Sequence, residues 1–246
     1  MRSLRLLRHG VLHLAVAALL ALPLAAQERP MTFLDMQYMA SAGSWTPSPD
    51  GAWMLYTVNT PDWMEDESQT DLHLVSLREG VASSRRLTFT EDANETQPRW
   101  APDGSFFVFA SNRDAENPRS GNQLYMMRAD GGEARKITEA ERGVSGHDFS
   151  PDGAWLVFRA GESGLEQLHA LSMETLRSAL ASGAAVTGDD ATALTEEPAG
   201  IDQWDFAPDG SAIYFTRADS YDADEKKRRD EGFTVDVKNA VTPLSN

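Results

Sequence analysis

Apolar runs of five to seven residues recur about every 50 residues along this chain, and each follows a turn-forming sequence. That sequence is a small residue, Pro, Asp and Gly, and its four copies are Ser48-Pro49-Asp50-Gly51, Ala101-Pro102-Asp103-Gly104, Ser150-Pro151-Asp152-Gly153 and Ala207-Pro208-Asp209-Gly210. Pro suits the first central position of a turn, Asp accepts hydrogen bonds from amides just beyond it, and Gly adopts positive φ without steric cost. The runs are rich in aromatic and β-branched residues, which predicts strands covered on both faces.

A second hairpin follows the first within each period. In its clearest copy, the strand-like segments 123–128 and 133–138 flank Ala129-Asp130-Gly131-Gly132. Asp-Gly between two such segments is a strong hairpin signal. A Leu-Thr or Ile-Thr pair then closes each unit: Leu87-Thr88, Ile137-Thr138 and Leu194-Thr195. Two hairpins in each period predict an all-β fold, a β-propeller of four-stranded antiparallel blades.

The repeats divide the chain after a leading segment, 27–44. The predicted blades span about 45–89, 96–138, 145–195 and 201–246. The third blade carries an insertion, 175–190, and residues 174–180 at its start predict a short helix. The fourth blade has only its first hairpin, which gives about three and a half blades in all. Five tryptophans follow the repeat and are predicted to be mostly core residues: Trp45, Trp53, Trp100, Trp155 and Trp204.

Propellers typically close a ring of four to eight blades, and an open ring leaves strand edges and apolar faces exposed. We therefore expect residues 27–246 to be one partial propeller domain within a longer protein. A self-contained four-bladed domain is the alternative. The repeats specify the fold, but a fold alone does not determine which reaction or binding function a protein has.

Residues 1–26 have the three-part layout of a secretory signal peptide. Arg2, Arg5 and Arg8 make a basic start, residues 11–22 are apolar apart from His13, and the segment ends in small residues. The apolar stretch is short for a membrane span. We predict cleavage near Ala26 and a periplasmic or secreted bacterial protein without a stable membrane anchor. A retained anchor is the other interpretation.

The acidic composition of the chain argues against nucleic acid as a partner. The chain has no cysteine and a formal net charge of −16, and removal of residues 1–26 leaves 19 basic against 38 acidic residues. An acidic surface disfavours nucleic acid, because phosphate neutralisation needs Lys and Arg. The basic run Lys226-Lys227-Arg228-Arg229 is flanked by acidic residues and is predicted to be a solvated segment.

The repeats resemble those of a known family. The residues that carry the resemblance are Trp100-Ala101-Pro102-Asp103-Gly104, Phe107-Val108-Phe109-Ala110-Ser111-Asn112-Arg113-Asp114, Leu124-Tyr125-Met126 and Asp130-Gly131-Gly132. They look like the WD-like propeller repeats of TolB-type proteins, which also occur in the N-terminal propellers of prolyl oligopeptidase-family serine peptidases. The opening segment 31–36 and the charged stretch 222–237 resemble acylaminoacyl-peptidase-like members.

The resemblance implies a function that this chain does not carry out by itself. In that family the propeller covers the active site of a C-terminal α/β-hydrolase domain and restricts the access of peptides. That domain would carry the Ser-Asp-His triad, and the chain alone is predicted to be inactive. The alternative is a TolB-like propeller that binds protein or cell-envelope partners and has no enzyme attached.

The sequence contains no recognisable motif for a catalytic serine. A nucleophile elbow needs Gly-x-Ser-x-Gly, and no serine in this sequence has glycine at both of those positions. Ser145 and Ser163 come closest, each with a glycine nearby, but both are placed between β-strands. We therefore predict no catalytic, cofactor-binding or metal-binding residue and no cofactor, with peptide substrate reached only through a further domain.

The three histidines after residue 26 are spread widely. His73 and His169 occupy corresponding strand positions and are predicted to be packing or edge residues, while His147 precedes a turn. His147 either supports that turn by hydrogen bonding, the favoured interpretation, or lines the axial channel. The acidic residues in 219–225 lack the spacing of a calcium loop, and Trp63, outside the repeat register, is predicted to be exposed on a loop.

Overall fold

The computed structural model describes residues 30–115, 121–218 and 237–243, with only the backbone for 218 and 237–243. The chain divides into two compact units, Met1–Gln37 and Tyr38–Asn246. The described part of the first unit contains a short helix, α1 (Phe33–Gln37), whose start is held by the Thr32 backbone N–H donating to the Asp35 carboxylate over 2.7 Å. The predicted signal peptide lies outside the described residues.

The second unit consists of four antiparallel sheets, each with its strands in chain order. Sheet 1 holds β1 (Ser41–Pro47), β2 (Trp53–Asp62), β3 (Glu67–Ser76) and β4 (Arg85–Arg86). Sheet 2 holds β5 (Glu95–Trp100), β6 (Phe106–Ser111), β7 (Gln123–Arg128) and β8 (Arg135–Lys136). Sheet 3 holds β9 (Val144–Phe149), β10 (Trp155–Ala160), β11 (Gln167–Ser172) and β12 (Thr192–Ala193). Sheet 4 holds β13 (Ile201–Phe206), β14 (Ala212–Ala218) and β15 (Val237–Pro243).

The all-β class and the four-stranded antiparallel repeat are thereby confirmed. Sheet 4 differs from the expectation of a single hairpin, because β15 pairs with β14 from Ala212 opposite Pro243 to Ala218 opposite Val237. The 18 residues between these strands exceed the two to five of an ordinary hairpin loop, so sequence spacing does not reveal the pairing. The described part of the chain is a partial propeller of three four-stranded sheets and one three-stranded sheet.

The Pro-Asp-Gly turns join the first two strands of every sheet as predicted. In sheet 1 the Ala52 backbone N–H donates to the Asp50 carboxylate over 3.0 Å, and the Gly51 N–H donates to the Ser48 carbonyl over 2.9 Å. Gly51 adopts a φ of 68°, the left-handed region in which a side chain is strained. The same bonds recur in the other three turns, at Asp103, Asp152 and Asp209.

Successive turns also lie against one another. A methyl group added at Gly104 would stand 3.7 Å from Cδ of Pro49, and one added at Gly153 would stand 3.5 Å from Cβ of Pro102. At Gly210 it would meet the Asp152 side chain at 3.1 Å. The glycines of the second, third and fourth turns therefore lie against the preceding turn, and the contact is tight only at Gly210.

The closing threonines fasten the end of each four-stranded sheet. The hydroxyl oxygens of Thr88, Thr138 and Thr195 accept hydrogen bonds of 2.8–2.9 Å from the backbone N–H groups of leucines in the third strands. All three threonines are buried, so these bonds satisfy amides that the two-residue fourth strand leaves unpaired. This geometry explains the recurring Leu-Thr and Ile-Thr pairs.

The core lies between the sheets. We call the face of each sheet that points to the preceding one its leading face, and the other its trailing face. Leu55, Leu72 and Leu74 on the trailing face of sheet 1 pack against the leading face of sheet 2, and two further clusters join sheets 2 and 3 and sheets 3 and 4. The leading face of sheet 1 and the trailing face of sheet 4 are not covered by another described sheet.

The tryptophan prediction is confirmed for Trp100, Trp155 and Trp204, which lie in or against the core, and is wrong for Trp45 and Trp53. Of the five tryptophans in the repeat only Trp100 is buried, and Trp155 and Trp204 are half-buried. Trp45, on the leading face of sheet 1, is 67% exposed, and Trp53 is exposed as well. Trp45 lacks the preceding sheet that covers the equivalent position in sheet 3, so the same repeat position gives different burial.

The insertion in sheet 3 begins with a helix, α2 (Met173–Ser182), longer than predicted. The Ser172 hydroxyl accepts the Thr175 N–H at its start, and Gly183 ends it with a φ of 80°. Leu176 and Ala179 are buried in the cluster between sheets 2 and 3. Arg177 forms an ion pair with Asp103 over 2.8 Å, which joins α2 to the turn of sheet 2.

Candidate functional site

The two serines closest to a nucleophile motif lie apart from any catalytic arrangement. Ser145 is an exposed residue of β9, and its hydroxyl oxygen accepts a hydrogen bond of 2.9 Å from Arg159. Ser163 lies in the turn between β10 and β11. Neither hydroxyl is hydrogen-bonded to a histidine among the described residues, and neither stands at a strand-to-helix turn.

His73 and His169 are packing residues in equivalent positions, as predicted. Each lies in the third strand opposite an aromatic residue of the second: His73 contacts Tyr56 at 5.4 Å between ring centroids, and His169 stacks on Phe158 at 5.6 Å. Burial lowers the pKa of both imidazoles below the usual value. They are therefore neutral rings that extend the aromatic surfaces of their sheets.

His147 differs from both interpretations of the sequence. It lies in β9 opposite Phe158 and is only 5% exposed, so it does not line an open channel. Its two ring nitrogens have no hydrogen-bond partner within the described residues, so it does not support the turn either. Burial lowers its pKa to about 3, with Arg99 adding to the shift and the nearby backbone of Val108 and Gln97 opposing it.

No group of three or more histidine and acidic side chains within residues 30–115 and 121–217 is arranged to hold a metal ion. The acidic residues of 219–225 lie outside the described residues. The described residues also contain no helix that is both long and apolar enough to cross a membrane. Trp63 is exposed in the turn after β2, as predicted, and makes an edge contact with Tyr38 at 6.0 Å.

A buried charged network lies in sheet 2, toward sheet 1. Glu95, which is fully buried, accepts hydrogen bonds from Ser111 (3.1 Å) and from Arg113 (2.9 Å). Arg113 in turn stands over the ring of Tyr125 at 4.8 Å, and the Tyr125 hydroxyl donates to Asp114. Burial raises the pKa of Glu95 while Arg113 opposes that shift. The Glu95 end of the network is closed off from solvent, whereas Asp114 at its other end is exposed and lies 4.0 Å from Lys136. The contacts of Glu95 therefore stabilise the interior of the sheet.

Glu95 belongs to no motif of the sequence that predicts a functional or structural role. Three other members, Ser111, Arg113 and Asp114, belong to the segment that carries the family resemblance. An acidic residue at the start of a strand, followed 18 positions later by arginine just after its partner strand, was the available signal. That signal becomes readable only when the antiparallel pairing of Glu95 with Ser111 is known.

The inner strands β1, β5, β9 and β13 form the edge that begins each sheet, and β5 contacts both β1 and β9. Their exposed charges are mainly acidic: Asp148, Asp202 and Asp205 against Arg99. Arg99 and Asp148 approach to 3.7 Å and join sheets 2 and 3. This inner surface of β1, β5, β9 and β13 therefore carries more negative than positive charge among the described residues.

A cavity of about 310 Å³ opens between sheets 2 and 3, away from the inner strands. Its lining includes the buried residues Ile137, Phe158 and Ala160, the half-buried His169, and the charged side chains at its rim. The repeat pattern does not predict this cavity. The cavity depends on how the connection 137–142 passes the outer part of sheet 3.

The chain is similar to known β-propeller proteins. Residues 17–192 match the family described as the TolB beta propeller domain. A solved structure, the β-propeller domain of the Trilobed protease from Pyrococcus furiosus, is 13% identical with a TM-score of 0.55 and covers 84% of this chain and 56% of that one. At this identity the likeness shows the fold alone, and it supports the propeller assignment.

Two curated relatives are peptidases by name. The "Uncharacterized peptidase YuxL" of Bacillus subtilis is 33% identical over 107 residues, 43% of this chain and 15% of that protein. Dipeptidyl-peptidase 5 of Porphyromonas endodontalis is 26% identical over 167 residues, 63% of this chain and 23% of that protein. The chain therefore spans less than a quarter of the length of either relative, and the expected resemblance to peptidase and TolB propellers is confirmed.

Proposed function

Because this chain belongs to the TolB beta propeller domain family, we propose that it is the propeller portion of an exported serine peptidase of the prolyl oligopeptidase family. The match to two proteins named as peptidases carries the proposal. In the complete protein a separate α/β-hydrolase domain cleaves peptide bonds by acyl transfer, with Ser as nucleophile, His as general base and Asp orienting the His.

The role of the propeller is to control which peptides reach that domain. The described residues bring no serine hydroxyl into hydrogen-bond contact with an imidazole, which is consistent with catalysis elsewhere. The acidic inner surface favours peptides that approach with a free amino terminus over acidic peptides. The signal-like segment 1–26 supports export to the periplasm or beyond.

The uncovered end faces support membership of a larger assembly of sheets. Tyr214 on the trailing face of sheet 4 is 52% exposed, whereas the residues at the same position of the other sheets, Leu55, Val108 and Val157, are fully buried. Additional propeller sheets in the complete protein would cover Tyr214 as sheets 2, 3 and 4 cover those three residues.

A second function is favoured by the family description itself. TolB-like propellers without an enzyme would bind protein or cell-envelope partners through the same surfaces. The two proposals expect different coding sequence after Asn246 in the gene. A Gly-x-Ser-x-Gly sequence with later Asp and His residues supports the peptidase, whereas further propeller repeats and then a stop support the binding protein.

The activity test uses two proteins, the full gene product made with residues 1–26 intact and the chain 27–246 alone. The peptidase proposal expects the full gene product to leave the cytoplasm, to lose its leader near Ala26 and to hydrolyse aminoacyl and peptidyl p-nitroanilides. A fluorophosphonate probe labels it, and changing the elbow Ser to Ala abolishes both signals. The 27–246 chain is expected to show neither. Turnover by 27–246, or a full product that the probe does not label, would overturn the proposal.

A further inference from the structure

The cavity between sheets 2 and 3 has an apolar, partly aromatic floor. Ile137 of the connection after β8 lies on one side, and Phe158 and Ala160 of β10 lie on the other. His169 stacks on Phe158 with an angle of 20° between the rings and adds its own half-buried ring to the lining. At about 310 Å³ the cavity is at the lower end of the volumes that hold small molecules in proteins.

The rim of the cavity carries more negative than positive charge. Three of its residues are acidic, Glu139, Glu141 and Glu162, and one is basic, Arg142. Glu139 is paired with Lys136 over 3.6 Å, and Glu162 approaches Arg142 at 3.9 Å. Glu141 forms no ion pair with the described residues, so one carboxylate at the mouth remains for a ligand.

The apolar floor of the cavity carries no positive charge that would offset the negative charge of the rim. Burial lowers the pKa of His169, so its imidazole is neutral at pH 7 and exposes an uncharged ring. A ligand that fits both parts has a small apolar or aromatic body and a cationic group. A neutral ligand would leave Glu141 without a partner, and an anionic one would face the excess of carboxylates.

We propose that this cavity binds a small aromatic amine, with the ring over His169 and Ala160 and the ammonium group against Glu141. The site lies between the outer parts of two sheets and is separate from the inner surface that the proposed peptidase function uses. Binding here therefore stands or fails independently of any peptidase activity.

The probe is phenethylammonium, with 2-phenylethanol and 3-phenylpropanoate as neutral and anionic analogues of similar shape. Titrations follow the methyl signals of Ile137 and Ala160 by NMR in the full chain. We expect phenethylammonium to shift these signals saturably, with weaker binding of the alcohol and the weakest binding of the carboxylate. Glu141→Gln is expected to weaken phenethylammonium binding about twofold to fivefold, the range of exposed ion pairs.

A second variant blocks the cavity without removing a charge. Ala191 lines the cavity and is only partly buried, so Ala191→Phe places a ring in the binding space and is expected to abolish saturable shifts. Glu174→Gln, an equal charge change at an exposed position outside the lining, is expected to bind like the parent. Equal binding of all three compounds, unchanged binding in Glu141→Gln, or no saturable shift up to about 10 mM would overturn the proposal.

Discussion

At the scale of single residues, His147 is a buried ionisable group with the backbone of Val108 and Gln97 nearby, but its ring nitrogens make no well-formed hydrogen bond with the described residues. The imidazole keeps its neutral form in the folded chain because burial lowers its pKa from about 6.5 to about 3. Between about pH 6.5 and pH 3, His147 is protonated in the unfolded chain but stays neutral in the folded chain. The stability that His147 contributes is thus present above pH 6.5 and is lost as the pH falls toward 3.

His147→Phe should remove this acid sensitivity. The equivalent positions of sheets 1 and 4 hold Trp45 and Trp204, so an aromatic side chain suits the site. Urea denaturation at pH 7 and pH 4.5 is expected to show a smaller loss of unfolding free energy for the variant than for the parent. The difference is about 2–3 kcal/mol, because pH 4.5 lies about two units below the unfolded pKa and each unit is worth about 1.4 kcal/mol.

His73→Phe serves as the control for that experiment. His73 is half-buried, and Asp71 opposes the lowering of its pKa. Its replacement is expected to leave the pH dependence of stability close to that of the parent. Parallel pH profiles for the parent and His147→Phe would show that His147 becomes protonated without cost, contrary to its burial.

At the scale of elements, α2 is part of the core although it interrupts the repeat. Leu176 is fully buried against sheets 2 and 3, and the next residue, Arg177, points to an ion pair with Asp103. The Arg135 side chain also donates a hydrogen bond of 2.9 Å to the Ala179 carbonyl near the end of the helix. An insertion relative to the repeat has thus become a link between two sheets.

Two neighbouring substitutions separate burial from charge in α2. Leu176→Ala is expected to lower the free energy of unfolding by about 2–5 kcal/mol, because it leaves a cavity in the core. Arg177→Ala is expected to lower it by at most about 1 kcal/mol, because that ion pair is exposed to solvent. Urea denaturation measures both, and similar small losses for the two variants would mean that α2 is only loosely attached.

Particular residues show how far the sequence could predict this fold. The turns at Asp50 and Asp103 and the closing pair at Thr138 were readable because their chemistry is local. The burial of Trp45 was not, because the repeat gives the position of a residue within a sheet but not whether another sheet stands beside it. The pairing of β15 with β14 and the contacts of Glu95 could not be predicted either, because both join residues that are far apart in the sequence.

The candidate regions were less predictable than the fold. His73 and His169 could be assigned to packing because they recur at one strand position. The cavity beside His169 could not, because its walls come from Ile137, Phe158 and Ala191, which the sequence separates by up to 54 positions. A cavity is set by how elements pass one another, and a repeat pattern does not record that.

At the scale of the whole molecule, the described sheets end in two apolar faces. Trp45 on one and Tyr214 on the other are more exposed than their equivalents in the intervening sheets. Exposed apolar faces of this kind favour association with other surfaces. For the 246-residue chain taken alone, we expect reversible self-association through these faces.

Tyr214→Lys should reduce that self-association. Sedimentation velocity over a range of concentrations is expected to show a larger monomer fraction for the variant than for the parent. Val81→Lys is the matched control, because Val81 is 88% exposed but lies in the short 3-10 turn before β4, outside the strands that form the two end faces. An equal effect of the two substitutions would point to net charge rather than the sheet face as the cause.

The packing of one Pro-Asp-Gly turn on the next has an evolutionary consequence. In each contact the glycine of one turn meets the proline or aspartate of the preceding turn, and both residues belong to the same four-residue motif. A duplicated copy of the repeat therefore arrives with both halves of the contact already matched to its neighbours. Such a gene segment can lengthen by duplication without further mutations that would make the new turn fit its neighbour. The number of repeats is therefore easier to change than their shape.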